Sequence, residues 1–216
     1  MNLEEARSQM LGQQVRAWEV LDDRVLSVLG ATHREAFVPE VHRDIAFADL
    51  EIPLAHDEAM MTPKLEGRLL QALSLDKADH VLEIGTGSGY LTACIAKLAA
   101  SVVSVDIYED FTQGAQATIA PLGLSNIEFR TADALQIAGS EKFDAIAVTG
   151  SVPELDDHFV RMLRPGGRLF IIVGREPVME ARVVTMLDRG QTTQESLFES
   201  VIKPLVNAER PEAFVL

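Results

Sequence analysis

Hydrophobic positions follow two different rhythms along this chain, and the change falls near residue 79. Over residues 4–30, Met10, Val15, Trp18, Leu21, Val25, Leu26 and Leu29 keep helical spacing, and Asp22 is placed to cap a second helix over Asp23–Leu29. Residues 37–56 show no period and are broken by Pro39 and Pro53. Pro63 stands where a helix can begin, ahead of K-L-E-G-R-L-L-Q-A-L-S-L. From Asp79 onward, short apolar runs alternate with amphipathic ones. H-V-L-E-I-G, S-V-V-S-V-D, N-I-E-F-R-T-A-D, F-D-A-I-A-V-T-G and G-R-L-F-I-I-V-G read as strands. Y-L-T-A-C-I-A-K-L-A, F-T-Q-G-A-Q-A-T-I-A-P-L-G and P-E-L-D-D-H-F-V-R-M-L read as the helices between them. That alternation predicts βαβ units, a parallel sheet and an α/β fold with helices on both faces. Runs such as A-I-A-V and L-F-I-I-V fit strands covered on both sides. In the tail, residues 178–216, V-M-E-A-R-V-V-T-M-L reads as a helix. One or two strands follow in T-T-Q-E-S-L-F-E-S-V-I-K-P-L, as a late hairpin closing the sheet edge.

Composition narrows the setting. The 216 residues are 47% hydrophobic, enough for one globular domain without staples. A single cysteine, Cys94, excludes an intrachain disulfide, and its apolar surroundings predict a buried small hydrophobe. The first ten residues carry acids and no apolar core, so no secretory signal is read there. No apolar run approaches the roughly 20 residues of a membrane helix, and the expected location is cytoplasmic. A net charge of −14 repels phosphate backbones and anionic lipids, which argues against nucleic-acid and membrane partners. Arg161, Arg164 and Arg168, the nearest thing to a basic patch, read as ordinary charge at a helix end. His33, His42, His80 and His158 show no ligand spacing, so no metal site is expected. Oligomeric state is not readable.

The segment H-V-L-E-I-G-T-G-S-G-Y carries the chemistry. A buried strand runs into Gly85, Gly87 and Gly89, and a helix follows, so the loop lies at the carboxyl end of a strand where doubly wound sheets bind nucleotides. A dinucleotide fingerprint needs G-x-G-x-x-G, but Tyr90 occupies the last glycine's position. The spacing is instead G-x-G-x-G, with Glu83 just before it. A carboxylate there would repel a pyrophosphate but suits a cofactor bearing an amino group and a sulfonium, which favours S-adenosylmethionine over NAD. Asp106 ends the second strand, where a carboxylate can accept both ribose hydroxyls. Asp133 follows the third strand, in position for an adenine amino group. Taken singly, each acid reads equally as a helix N-cap or a solvated loop end; three on successive strand ends favour a ligand. Thr149, Gly150 and Ser151, after the fourth strand, stand either near the cofactor or the transferred methyl group or in a turn leading to a helix with Pro153 near its first position. The candidate cofactor-binding set is Glu83, Gly85, Thr86, Gly87, Gly89, Tyr90, Asp106, Ile107, Asp133, Ala134 and Thr149, and no catalytic residue is assigned.

These residues resemble the protein-L-isoaspartate O-methyltransferases. V-L-E-I-G-T-G-S-G-Y is similar to that family's cofactor motif and F-D-A-I-A-V-T-G-S-V-P-E-L-D-D to its fourth-strand segment. D-D-R-V-L-S-V-L-G-A-T-H-R-E-A-F-V-P-E is similar to its leading helices and F-V-P turn. The likeness spans roughly residues 5–175. It implies a Rossmann-like class I methyltransferase fold with a seven-stranded, mostly parallel sheet, N-terminal accessory helices and an antiparallel tail. One domain would divide into a cofactor-covering segment (1–78), an S-adenosylmethionine-binding core (79–175) and a tail (176–216). The implied reaction passes a methyl group to an isoaspartyl carboxylate of a damaged protein, whose ester collapses to a succinimide and starts repair; S-adenosylhomocysteine is the other product.

The acceptor side departs from the family pattern. Its T-I-S-Q-P segment reads A-M-M-T-P here, so Ala59 and Met61 stand where substrate-contacting hydroxyls are expected. The tail motif R-F-V-P-L reads V-I-K-P-L over Val201–Leu205, and G-D-G after the third strand reads A-D-A. Methionine offers a carboxylate no useful hydrogen bond, although Met60 and Met61 can pack on the cofactor while Thr62 supplies a hydroxyl. The acceptor therefore stays open between an isoaspartyl carboxylate and a divergent one, protein or small molecule. The alternative is a non-catalytic module that senses S-adenosylmethionine or scaffolds a partner. His56 could orient an acceptor carboxylate, and Trp18 covers the cleft or packs on the sheet.

Overall fold

The computed structural model describes residues 2–155 and 157–208, with the backbone alone at Arg189. Its centre is a seven-stranded sheet of β3 (His80–Ile84), β4 (Ser101–Asp106), β5 (Ile127–Thr131), β6 (Phe143–Val152), β7 (Leu163–Arg175), β8 (Val178–Met186) and β9 (Thr192–Glu199). Their order across the sheet is β5-β4-β3-β6-β7-β8-β9. The strands from β5 to β7 run parallel, and β8 and β9 are antiparallel. Strand β3 pairs with β4 on one side and β6 on the other, so the chain reverses its direction of winding there. A crevice opens at the carboxyl end of such a strand.

Continuous apolar strands are explained by two cores, one on each face. Val81, Ala145, Ala147, Phe170 and Ile172 point into the first, and Leu82, Ile84, Ile146, Val148, Leu169 and Ile171 into the second. Helices α3 (Pro63–Leu73), α4 (Tyr90–Leu98) and α5 (Glu109–Ile119) contribute Leu69, Cys94 and Ile119 to the first core. The second is covered by α6 (Asp157–Val160), through Phe159 and Val160, and by a one-turn helix, Ala134–Gln136. Helix α3 starts on Pro63 as expected, and the Asp22 carboxylate accepts the Arg24 N–H to cap α2 (Asp23–Ala31). Ahead of them, α1 (Leu3–Met10) runs on through a π turn over Leu11–Val15 and a 3₁₀ turn over Arg16–Trp18. Cys94 is fully buried, and burial pushes its thiol up to about 12.

Two elements differ from the sequence reading. Val178–Met186 is strand β8, not a helix. Its V-M-E-A-R-V-V-T-M contains both periods, but Met179, Ala181 and Val183 alternate into the first core, and β-branched Val183, Val184 and Thr185 suit a pleated surface. Strands β7, β8 and β9 thus make an antiparallel meander that closes the sheet edge; residues 209–216 of the tail lie outside the described residues. The helix expected over P-E-L-D-D-H-F-V-R-M-L is only the four residues of α6, with Asp156 outside the described residues. Strand β6 runs on to Val152 and β7 begins at Leu163, which leaves little chain to wind. Arg161, Arg164 and Arg168 pair with Asp157, Asp144 and Asp79. Among the described residues, no helix is long and apolar enough to cross a membrane.

The segment before α3 is not part of the large sheet. Besides 3₁₀ turns at Glu40–Ile45 and Ala55–Asp57, it carries the short ribbon of β1 (Ile52–Pro53) and β2 (Ala59–Met60), and it is held from beneath by Arg34. That side chain is fully buried. Its Nε donates to the Ala46 carbonyl at 3.0 Å, Nη2 to the Met61 carbonyl at 2.7 Å and Nη1 to the buried Glu66 carboxylate, and the guanidinium lies 4.9 Å from the Tyr90 ring centroid. Removing one partner of a buried pair strands the other charge. Arg34→Met should therefore lower unfolding stability by about 3–5 kcal/mol, read as a shift of the urea midpoint. A shift no larger than that of an exposed arginine variant would contradict this role.

Candidate functional site

The crevice beyond β3 is a cavity lined by the glycine loop, the strand ends, the ribbon segment before α3 and the tail. The three loop glycines have positive φ (93°, 50° and 83°) but different duties. A Cβ at Gly85 would overlap the Thr149 hydroxyl, which donates to the Ile84 and Gly85 carbonyls at 2.9 and 3.1 Å. A Cβ at Gly89 would stand 2.7 Å from Ala115 Cβ on α5. A Cβ at Gly87 would meet only Leu54 Cδ1, at 3.4 Å, so packing leaves space there and the missing side chain keeps the cavity open.

Eight of the eleven sequence candidates lie on the cavity wall: Gly85, Thr86, Gly87, Asp106, Ile107, Asp133, Ala134 and Thr149. Asp106 is buried, and its carboxylate accepts the Gly87 N–H at 2.9 Å and the Tyr108 N–H at 3.0 Å. Burial raises its pKa above the usual range, against the pull of those donors. Two N–H groups do not exhaust a carboxylate's lone pairs, so Asp106 retains acceptors for a diol. Asp133 caps the Ala134–Gln136 turn by accepting the Leu135 N–H, and also accepts from Gln136 and Asn207 while lining the cavity. It is both cap and wall.

Glu83, Gly89 and Tyr90 are set behind the wall. Glu83 shares its side of β3 with Val81 and points toward α4, where its Oε2 accepts the Thr92 hydroxyl and, at 2.6 Å, the Ser104 hydroxyl. Ser104 continues to Thr86 at 2.7 Å, tying the acid to the loop from within. Burial pushes Glu83 up to about 8, with the two hydroxyls opposing and Asp106 adding to the rise. Tyr90 lies under the loop, its ring edge-on to Phe37 at 5.6 Å. Thr149 and Gly150, within β6, line the cavity. Ser151 is buried and binds the tail, its Oγ donating to the Ile202 carbonyl at 3.1 Å.

The opposite wall comes from the ribbon segment and the tail: Leu54, Glu58, Ala59, Met60 and Met61 face Ile202, Lys203 and Leu205. Ala59 and Met61 thus stand on the wall itself, as does Met60. His56 does not. It stacks on Tyr108 at 3.9 Å and pairs with Asp110 at 2.9 Å, which fastens the ribbon turn to the start of α5. Trp18 packs edge-on against Phe198 of β9 at 5.3 Å, on the sheet side. Sequence reasoning missed Arg34, Glu58, Tyr108 and Lys203, whose neighbours are remote in the chain. Tyr108, two residues past Asp106, was the one readable from strand-end position. Five carboxylates line the cavity (Glu51, Glu58, Glu66, Asp106 and Asp133), and Lys203 is the one cation among the described lining residues. Glu66 is neutralised by Arg34 and Glu58 by Lys203, and the remaining three acids favour a positively charged ligand over a pyrophosphate.

A family model described as protein-L-isoaspartate(D-aspartate) O-methyltransferase matches residues 5–210. The chain is similar to the protein-L-isoaspartate O-methyltransferase of Brucella anthropi, 37% identical over 174 residues and 80% of each chain. It is also similar to that of Rhodopseudomonas palustris, 33% identical over 202 residues and 93% of each chain. A Plasmodium falciparum structure assigned to the same methyltransferases, in complex with S-adenosyl-L-homocysteine, superposes with a TM-score of 0.80 at 21% identity. The match covers 92% of this chain and 97% of that one, a likeness of fold.

The buried Glu83 carboxyl gives a pH signature. The folded chain keeps a proton that the unfolded chain releases near the ordinary value of 4.5. Its contribution is full below that value and is lost as pH rises through about 8. Urea midpoints measured across this window should fall with pH, and less steeply in Glu83→Gln; equal slopes would remove Glu83 as the cause.

Proposed function

Because the chain belongs to the protein-L-isoaspartate O-methyltransferase family, we propose that it methylates an isoaspartyl carboxylate with S-adenosylmethionine as donor, the first step in repair of a damaged protein. One observation carries the reading: the glycine loop, the ribbon segment and the tail converge on a single cavity. A cofactor held against the loop then faces a second wall where an acceptor can enter. The residues fit the donor. Asp106 has acceptors left for a ribose diol, Asp133 lies where an adenine amino group can reach it, and the acidic wall suits a sulfonium and an ammonium.

When bound, the cofactor supplies a methyl group on sulfur, which an acceptor carboxylate oxygen takes as the carbon–sulfur pair returns to sulfur. The carboxylate is already ionised at neutral pH, so the chain needs no general base; its task is to position and dry the reacting groups. Leu54, Met60 and Met61 supply apolar cover, and Gly87 leaves room opposite them. The replacement of two hydroxyls by Ala59 and Met61 favours a second reading, a module that binds the cofactor without transfer.

Labelled S-adenosylmethionine with an isoaspartyl peptide should yield a base-labile methyl ester. Its absence, with cofactor binding intact by calorimetry, would leave the binding module. Gly87→Val should weaken cofactor binding about tenfold or more, since roughly 1.4 kcal/mol of lost contact suffices, and undiminished affinity would remove the loop from the site.

A further inference from the structure

We propose that Lys203 holds the acceptor carboxylate and so takes over the role of the hydroxyls absent at Ala59 and Met61. The inference rests on the carboxylate-methylating reading above. Glu66 is neutralised by buried Arg34, but an anionic acceptor entering this cavity still meets Glu51, Asp106 and Asp133, and Lys203, paired with Glu58, is the one cation among the described lining residues. Ala59 and Met61, on the ribbon wall, have no side-chain N–H or O–H to offer. An ionised carboxylate left there without a partner would be strongly disfavoured.

The geometry suits the task. The backbone on either side of Lys203 is fixed to strand β6. Ser151 donates its N–H to the Lys203 carbonyl at 3.0 Å, and Leu205 donates to the Ser151 carbonyl at 2.9 Å. The side chain then reaches across the mouth to the ribbon. Its ammonium donates to the Asp57 carbonyl at 2.7 Å and lies 3.0 Å from Glu58 Oε1, with Asp57 Oδ2 farther off at 3.4 Å. An ammonium has three donors; the long contact to the fully exposed Asp57 carboxylate is the one an incoming carboxylate oxygen can displace. Glu58 and the Asp57 carbonyl thus station the charge at the mouth, between the tail and ribbon walls. In V-I-K-P-L a cation stands inside the tail motif while Val201, where the family pattern carries arginine, is apolar. In this chain the positive charge of the motif stands on a residue that lines the cavity.

Lys203→Met and Lys203→Arg, assayed with an isoaspartyl peptide over a range of peptide concentrations, separate this role from a merely structural one. Lys203→Met should raise the peptide KM about tenfold or more, as expected for loss of a charge-assisted hydrogen bond. Its S-adenosylmethionine affinity by calorimetry should match wild type, and Lys203→Arg should recover most of the KM. An unchanged KM overturns the proposal and leaves the methyltransferase reading standing. A parallel loss of cofactor affinity also overturns it, because Lys203 would then only strap the ribbon down. If wild type does not methylate the peptide, the proposed reaction fails. Lys203 is then judged by calorimetric binding of the same peptide to the S-adenosylhomocysteine complex. Binding lost in Lys203→Met sustains it, and no binding to wild type, or equal binding by both, overturns it.

Discussion

One buried guanidinium decides where the second wall of the cavity stands. Sheet hydrogen bonds fix the glycine loop and the strand-end acids, but the ribbon segment opposite them has only a two-residue pairing of its own. Arg34 gathers the Ala46 and Met61 carbonyls, the Glu66 carboxylate and the Tyr90 ring around one planar group. A buried charge tolerates few alternatives, because any arrangement that leaves its donors unmet costs several kcal/mol. The ribbon is thereby set across from Gly87, and Met61 is placed on the cavity wall.

The tail completes the enclosure by a different device. Ser151 of β6 exchanges backbone and side-chain hydrogen bonds with residues 202–205 and brings Ile202, Lys203 and Leu205 to the mouth. A Cβ at Gly150 would strike Leu205, so the small residue there permits the close approach. His56 and Lys203 then fasten the ribbon turn to α5 and to the tail. Polar contacts thus hold the rim, with the apolar cover of Leu54, Met60 and Met61 lining the cavity beneath them.

Glu83 stands in the glycine-loop motif without reaching the cavity wall. Its position before the glycines drew it into the candidate set, yet side chains alternate along a strand, and Glu83 shares its face with Val81 rather than with Ile84. That face is covered by α4, so the carboxyl is buried behind the loop and held by Thr92 and Ser104. The parity was present in the sequence, but which face belonged to the cavity was not. Strand β8 escaped for a related reason. V-M-E-A-R-V-V-T-M satisfies both helical and strand periods, and pairing with β7 and β9 chose between them.

Local chemistry determined what the sequence alone could reveal. Fully apolar strands, Pro63 at a helix start, Asp22 as a cap and glycines spaced G-x-G-x-G act within a few residues of themselves, and each was legible. The acidic strand ends at Asp106 and Asp133 were legible too, because parallel strands of similar length finish at one edge. Tertiary structure alone decided what stands opposite. Arg34 meets Glu66 across 32 residues and Lys203 meets Asp57 across 146, and no periodicity links such pairs. They are selected by the need to satisfy charges once the chain has folded around them.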